Sequence, residues 1–148
     1  MKPSEVKREI HKIIAERESR DIWVLQDALL PAAMSLRKTF LKWKNGEMSA
    51  LYSECEMLKG IAPPQARGKL VGIKMELDAF ETRRIGEARD KLQAFIRAIE
   101  SQKMQNPKEV GDEVQHNLWP TLEVITDLMN IRDRLDTMTS MIPASDDS

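Results

Sequence analysis

The residues able to do chemistry are few and scattered. Two histidines, His11 and His116, and a single cysteine, Cys55, lie far apart in a chain of 148 residues. Zinc sites draw on closely spaced Cys and His ligands, and neither histidine has such a neighbour. No metal and no cofactor is therefore expected. A nucleophilic cysteine needs a base beside it, whereas Cys55 shares a helical stripe with Leu51 and Leu58 and reads as a buried structural thiol. Carboxylates such as Glu76, Glu81, Glu109, Asp112 and Glu113 are numerous, but number alone places no pair at a substrate. They read as solvated helix faces, and no enzyme active site is expected.

Phosphate chemistry is the next candidate, because Gly60, Gly68 and Gly72 stand among basic residues. A Walker loop has four residues between its glycines and a Ser or Thr after its Lys. Here seven residues separate Gly60 from Gly68, and Leu70 follows Lys69. The motif fails, which leaves Arg67, Lys69 and Lys74 as candidate phosphate contacts near a helix N-terminus, where exposed amides favour anions. The run Arg37, Lys38, Lys42, Lys44 encloses Phe40 and Trp43, a pattern that also suits a nucleic-acid platform. Leu36, Phe40 and Trp43 share one helical face, however, so core packing with the cations outside explains them equally well. Binding of nucleic acid through the basic 37–74 region stands as the second functional reading, behind protein interaction.

The elements that must carry these residues are helices. Hydrophobic residues make up 41%, charged 32% and aromatic only 5%, and Leu, Ala, Met, Glu, Lys and Arg are strong helix formers. The expected class is all-α, a helical bundle or hairpin with one long central helix that is extended if nothing covers it. Residues 1–143 form one domain, and the polar, acidic stretch 144–148 reads as a disordered tail. The sequence predicts a first helix capped by Ser4, then a denser pattern from Ile22 to Leu30 that Pro31 kinks or divides. Asn45-Gly46 predicts a break, and Gly60 ends a short helix ahead of Pro63-Pro64.

From Gln65 to Gln105 there is no proline, which allows one helix of about 60 Å. A compact chain of this length is about 40 Å across, so such a helix must protrude, bend or pair. Its apolar residues Leu70, Ile73, Leu77 and Phe80 step by three and four, and Ile85, Ala88, Leu92, Phe95 and Ile99 resume the pattern after a step of five. That step is a stutter in the seam and predicts a bend or break near Glu81–Gly86. Asn106-Pro107-Lys108-Glu109 reads as a capping box. Pro120 predicts a division between a short helix to Leu118 and a longer one over Thr121–Met141, whose seam includes Leu122, Leu128, Leu135 and Ile142.

Because the long helix outruns a compact body, its seam (Leu70, Ile73, Leu77, Phe80, Leu92, Phe95, Ile99) and the later one (Leu122, Leu128, Leu135) are the expected interface of a homo-oligomer or larger assembly. Trp23, Trp43 and Trp119 are further anchors of packing or interface. Charge is nearly balanced overall, yet 31–74 carries eight Lys and Arg against three acids, and 109–148 two Arg against nine acids. The two regions are expected to pair. The lone cysteine, the absence of a secretory leader pattern at the start and the absence of a long apolar run predict a cytoplasmic protein without a membrane segment.

One stretch resembles a known group. Tyr52, Leu58, Gly60-Ile61, Pro63-Pro64, Arg67-Gly68 and Leu70, followed by a long helix, are similar to a pattern in small helical proteins encoded among the structural genes of tailed bacteriophages. It covers about 30 of the 148 residues and departs from the pattern at Leu77-Asp78-Ala79-Phe80, where a Leu-Pro is usual. The resemblance implies a virion or assembly component, located in host cytoplasm or virion, and transfers no functional residue.

Overall fold

A computed structural model describes residues 3–17 and 22–141. Among these residues the fold is all-α, with no strand. Helix α1 (Pro3–Arg17) is followed by three long rods, each built of two α-helices joined by one π turn. The first comprises α2 (Ile22–Lys42), π1 (Trp43–Glu47) and α3 (Met48–Ile61). The second comprises α4 (Pro64–Ala79), π2 (Phe80–Arg84) and α5 (Ile85–Glu100), and the third α6 (Pro107–Glu113), π3 (Val114–Leu118) and α7 (Trp119–Met141).

The rods run lengthwise against one another. In the first pair, Gln26 meets Met104 at one end and Tyr52 meets Asp78 toward the other, so the pair is antiparallel. The third rod is parallel to the first, since the Glu47–Arg132 and Glu54–Thr139 contacts both span 85 positions. A single apolar core runs from Val6 to Leu135. The long helix does not need a second molecule to cover its seam: α3 lies along α4, α2 and α7 lie along α5, and Arg134 of α7 reaches Glu76 of α4.

The π turns explain several departures from the sequence expectations. Phe80 and Ile85 are both buried although five residues apart, because an i→i+5 turn from the Ile85 amide to the Phe80 carbonyl accommodates the extra residue. The stutter is therefore taken up inside a continuous helix. Trp43 and Met48 do the same around π1, so the expected break at Gly46 is absent, and no glycine takes a left-handed conformation. Burial of both residues outweighs the turn propensity of Asn45-Gly46.

The expected division at Pro120 is also absent. In α geometry its ring would press on the carbonyl of His116, and the wider turn of π3 immediately upstream relieves that contact. Pro31 lies within α2 on an exposed face, so the unbonded carbonyl of Asp27 is open to solvent. Helix α3 ends not by a glycine cap but because Ala62, which precedes Pro63, is extended at φ −73°, ψ 145°.

Helix α1 starts at Pro3, so Ser4 lies inside it rather than capping it. The helix start at Asn106 is present as an N-cap: its Oδ1 accepts from the Glu109 amide at 2.9 Å, while the Glu109 carboxylate reaches back not to the Asn106 amide of a strict box but to Asn106 Nδ2 at 2.9 Å and the Gln105 amide at 3.1 Å. Such a cap contributes about 1 kcal/mol. The 144–148 stretch, Ile142 and the side chain of Trp23 lie outside what is described.

Candidate functional site

All ten seam residues proposed from sequence as an interface are in the core. Leu70, Ile73, Leu77, Phe80, Leu92, Phe95, Ile99, Leu122, Leu128 and Leu135 are each at most 5% exposed. The premise that part of this seam lacks cover within the chain does not hold, because three rods and not two share it.

The three candidate phosphate contacts do not converge. Lys74 faces α3, where its Nζ is 3.8 Å from Glu56 Oε1, and Arg67 projects from the same flank of α4. Lys69 lies on the opposite flank, beside Asp133 and Met138 of α7. Of the basic run, Arg37, Lys38 and Lys42 are exposed while Phe40 and Trp43 are buried, so neither ring is open for stacking on a base. The expected pairing of the basic 31–74 and acidic 109–148 regions runs the other way among the described residues. Their one salt bridge joins Glu47 of the basic region to Arg132 of the acidic one, and the same guanidinium lies 5.1 Å from the Trp43 ring.

The fold brings His11 to the third rod, within three positions of His116. His11 stacks at a tilt against Trp119, centroids 5.2 Å apart, with Lys7 Nζ 5.4 Å from the same ring, which fastens α1 to the third rod. Cys55 is buried, and burial followed by Glu54 and Glu56 pushes its thiol above the usual range; such a thiol is a poor nucleophile. Among the described residues, no group of three His, Cys, Asp or Glu side chains is placed to hold a metal ion.

Polar side chains instead join the rods along their edges. Arg84 Nη2 donates to Asp127 Oδ2 at 2.7 Å while its guanidinium lies 4.3 Å from the Phe80 ring, and Arg134 Nη1 donates to Glu76 Oε1 at 3.1 Å. These two pairs line a groove of about 340 Å³ between α4 and α7. The Tyr52 hydroxyl donates to Asp78 Oδ1 at 2.8 Å and Glu81 Oε2 at 3.1 Å. Burial, followed by these two carboxylates, holds that phenol well above its usual value of 10.0. A phenolate cannot donate, so the stabilisation is complete below about pH 10 and is lost as rising pH ionises Tyr52 first in the unfolded chain. The urea midpoint should therefore fall more steeply between about pH 9.5 and 11 in the wild type than in Tyr52→Phe. Equal slopes would show that the hydroxyl makes no such bond.

What the sequence reading missed is the outer surface of the α3–α4 hairpin. Four large apolar side chains of these two helices project into solvent: Met57, 55% exposed, and Ile61, 58%, on the flank of α3 that carries Glu54, and Val71, 57%, and Met75, 66%, on α4. On α4, Pro64, Gly68, Val71, Gly72, Met75 and Ala79 recur at three- and four-residue spacing and form an uncharged stripe opposite the core face of Leu70, Ile73 and Leu77. Two apolar phases in one helix are the signal, and the seam masks it because only one phase continues into α5. A comparison with protein-family models, with curated proteins and with solved structures finds no match for this chain.

Proposed function

We propose that this chain is a non-enzymatic helical interaction protein that presents the outer face of its α3–α4 hairpin to copies of itself or to a larger assembly. The observation that carries this reading is the exposure of Met57, Ile61, Val71 and Met75 on that one hairpin. Single apolar side chains on a surface are ordinary, but four of the five large ones that are strongly exposed among the described residues fall in this hairpin. Methionine suits such a face because it adapts to differently shaped partners. A tailed-phage virion is the assembly that the resemblance around Tyr52–Leu70 implies, and a cytoplasmic setting accords with a lone thiol.

A photo-crosslinking residue in place of Met57, expressed in the native source, tests the reading. The expected result is one dominant adduct, either with the chain itself or with one assembly component. Adducts no more abundant than those from a control position such as Arg89 would reject it. If crosslinks formed instead at Lys38 to nucleic acid, with binding that falls steeply as salt rises, the basic-region reading would replace it. No helix among the described residues is long and apolar enough to cross a membrane.

A further inference from the structure

We infer that the outer stripe of α4 is a two-fold contact for a second copy of this chain, packed antiparallel with the axis passing between Gly72 and Ile73. The inference rests on the interaction reading above and assigns it an occupant. The unpartnered face is Val71 and Met75, 57% and 66% exposed, on a helix whose opposite face is already in the core.

Charge complementarity selects the occupant and the register. In an antiparallel two-fold pair, the same flank of each helix lies along the same edge of the contact. One flank of α4 carries Arg67, Asp78 and Lys74, the last held by Glu56 of its own chain, and the other carries Lys69 and Glu76. An axis between Gly72 and Ile73 is equidistant from the two members of each pair, so Arg67 meets Asp78 of the second copy and Lys69 meets Glu76 of the second copy. The Lys69–Glu76 edge is then wholly complementary, Arg67 finds Asp78 on the other edge, where Lys74 keeps its own Glu56, and each pair occurs twice. Asp78 and Glu76 already accept from Tyr52 and Arg134 within the chain, but an ionised carboxylate has about four lone-pair sites.

The apolar centre agrees with the same register. Met75 of one copy comes level with Leu70 of the other, midway between Gly68 and Gly72. A Cβ at either glycine would meet nothing within 4 Å, so neither is required by packing inside the chain, although each costs about 1 kcal/mol in a helix relative to Ala. In the pair they form the notch that receives Met75. A helix of 16 residues is about 24 Å long and buries less than the roughly 800 Å² per partner of a stable interface. The dimer is thus weak, with a dissociation constant between about 1 μM and 1 mM.

Sedimentation velocity of the full chain from about 10 μM to 1 mM tests this, with circular dichroism and the melting temperature reporting the fold of each variant. The wild type should show a concentration-dependent monomer–dimer equilibrium. Met75→Glu should weaken it by about tenfold or more without changing the melt, since that side chain is exposed. Lys69→Glu and Glu76→Lys should each weaken self-association, and an equimolar mixture of the two should restore a dimer, because only the mixed pair has opposite charges at both sites. Dimerisation that Met75→Glu leaves unchanged would overturn this contact, as would a mixture no tighter than either variant alone. A chain monomeric throughout would overturn the second copy as occupant; a dominant Met57 adduct with a different protein would then still support the interaction reading.

Discussion

Replacing Leu92 and Phe95 together with Glu is expected to unfold the chain, not to separate one copy from another. Both side chains sit in the shared core of the three rods, 2% and 0% exposed. Each substitution forfeits about 1.5–3 kcal/mol of apolar burial. Each also introduces a carboxylate that must be desolvated without a partner or become protonated, adding several kcal/mol more. The whole chain has about 5–15 kcal/mol to lose, so the double variant should show no cooperative melt by circular dichroism at 25 °C. Gel filtration should give an expanded or aggregated species. A folded variant whose only change is its oligomeric state would mean that these residues line an interface after all. The contrast with Met75→Glu is the sharp one: both changes place a carboxylate on the same long rod, and the side facing the core decides which outcome follows.

Fold class, the long proline-free helical segment after Gln65, the N-cap at Asn106 and most core positions were legible in the sequence, because the three- and four-residue spacing of apolar residues survives whatever they pack against. The boundaries that failed share a cause. Gly46 and Pro120 are local signals, and at each the chain keeps its helical course through a π turn that sequence propensities do not register. The stutter at Phe80–Ile85 is visible in the spacing, but its resolution depends on whether both flanking residues face the same core, which only the packed rods determine. The interface assignment failed for a similar reason. A length argument can count the apolar residues that need cover, yet it cannot say that α1 and all three rods converge to supply it. The stripe on α4 was present in the sequence as a second phase of apolar and small residues.

Deletion of Thr82 is expected to preserve the fold, and deletion of Arg89 to damage it severely, although each removes one exposed polar residue from the same rod. Thr82 lies in π2, where five residues cover the rotation that four cover in an α-helix. Without it, Phe80 and Ile85 become four apart, the turn closes to α geometry, and every residue on either side keeps its face. Arg89 lies in α5, where its side chain is paired only with the adjacent Asp90. Removing it turns the following residues by about 100°, which carries Gln93, Arg97 and Glu100 to the places of Leu92, Ile96 and Ile99. The one available relief is for π2 to close and take up the missing residue. That restores Leu92 onward but brings Arg84 and Glu87 to the places of Ile85 and Ala88, both buried, and breaks the Arg84–Asp127 pair. On either route at least two charged side chains enter the core, at a cost of several kcal/mol. The urea midpoint should therefore change little for the Thr82 deletion, while the Arg89 deletion should lose most of its stability or fail to fold. Equal loss in the two would show that π2 is not a spare residue accommodated in the helix but a geometry the packing requires.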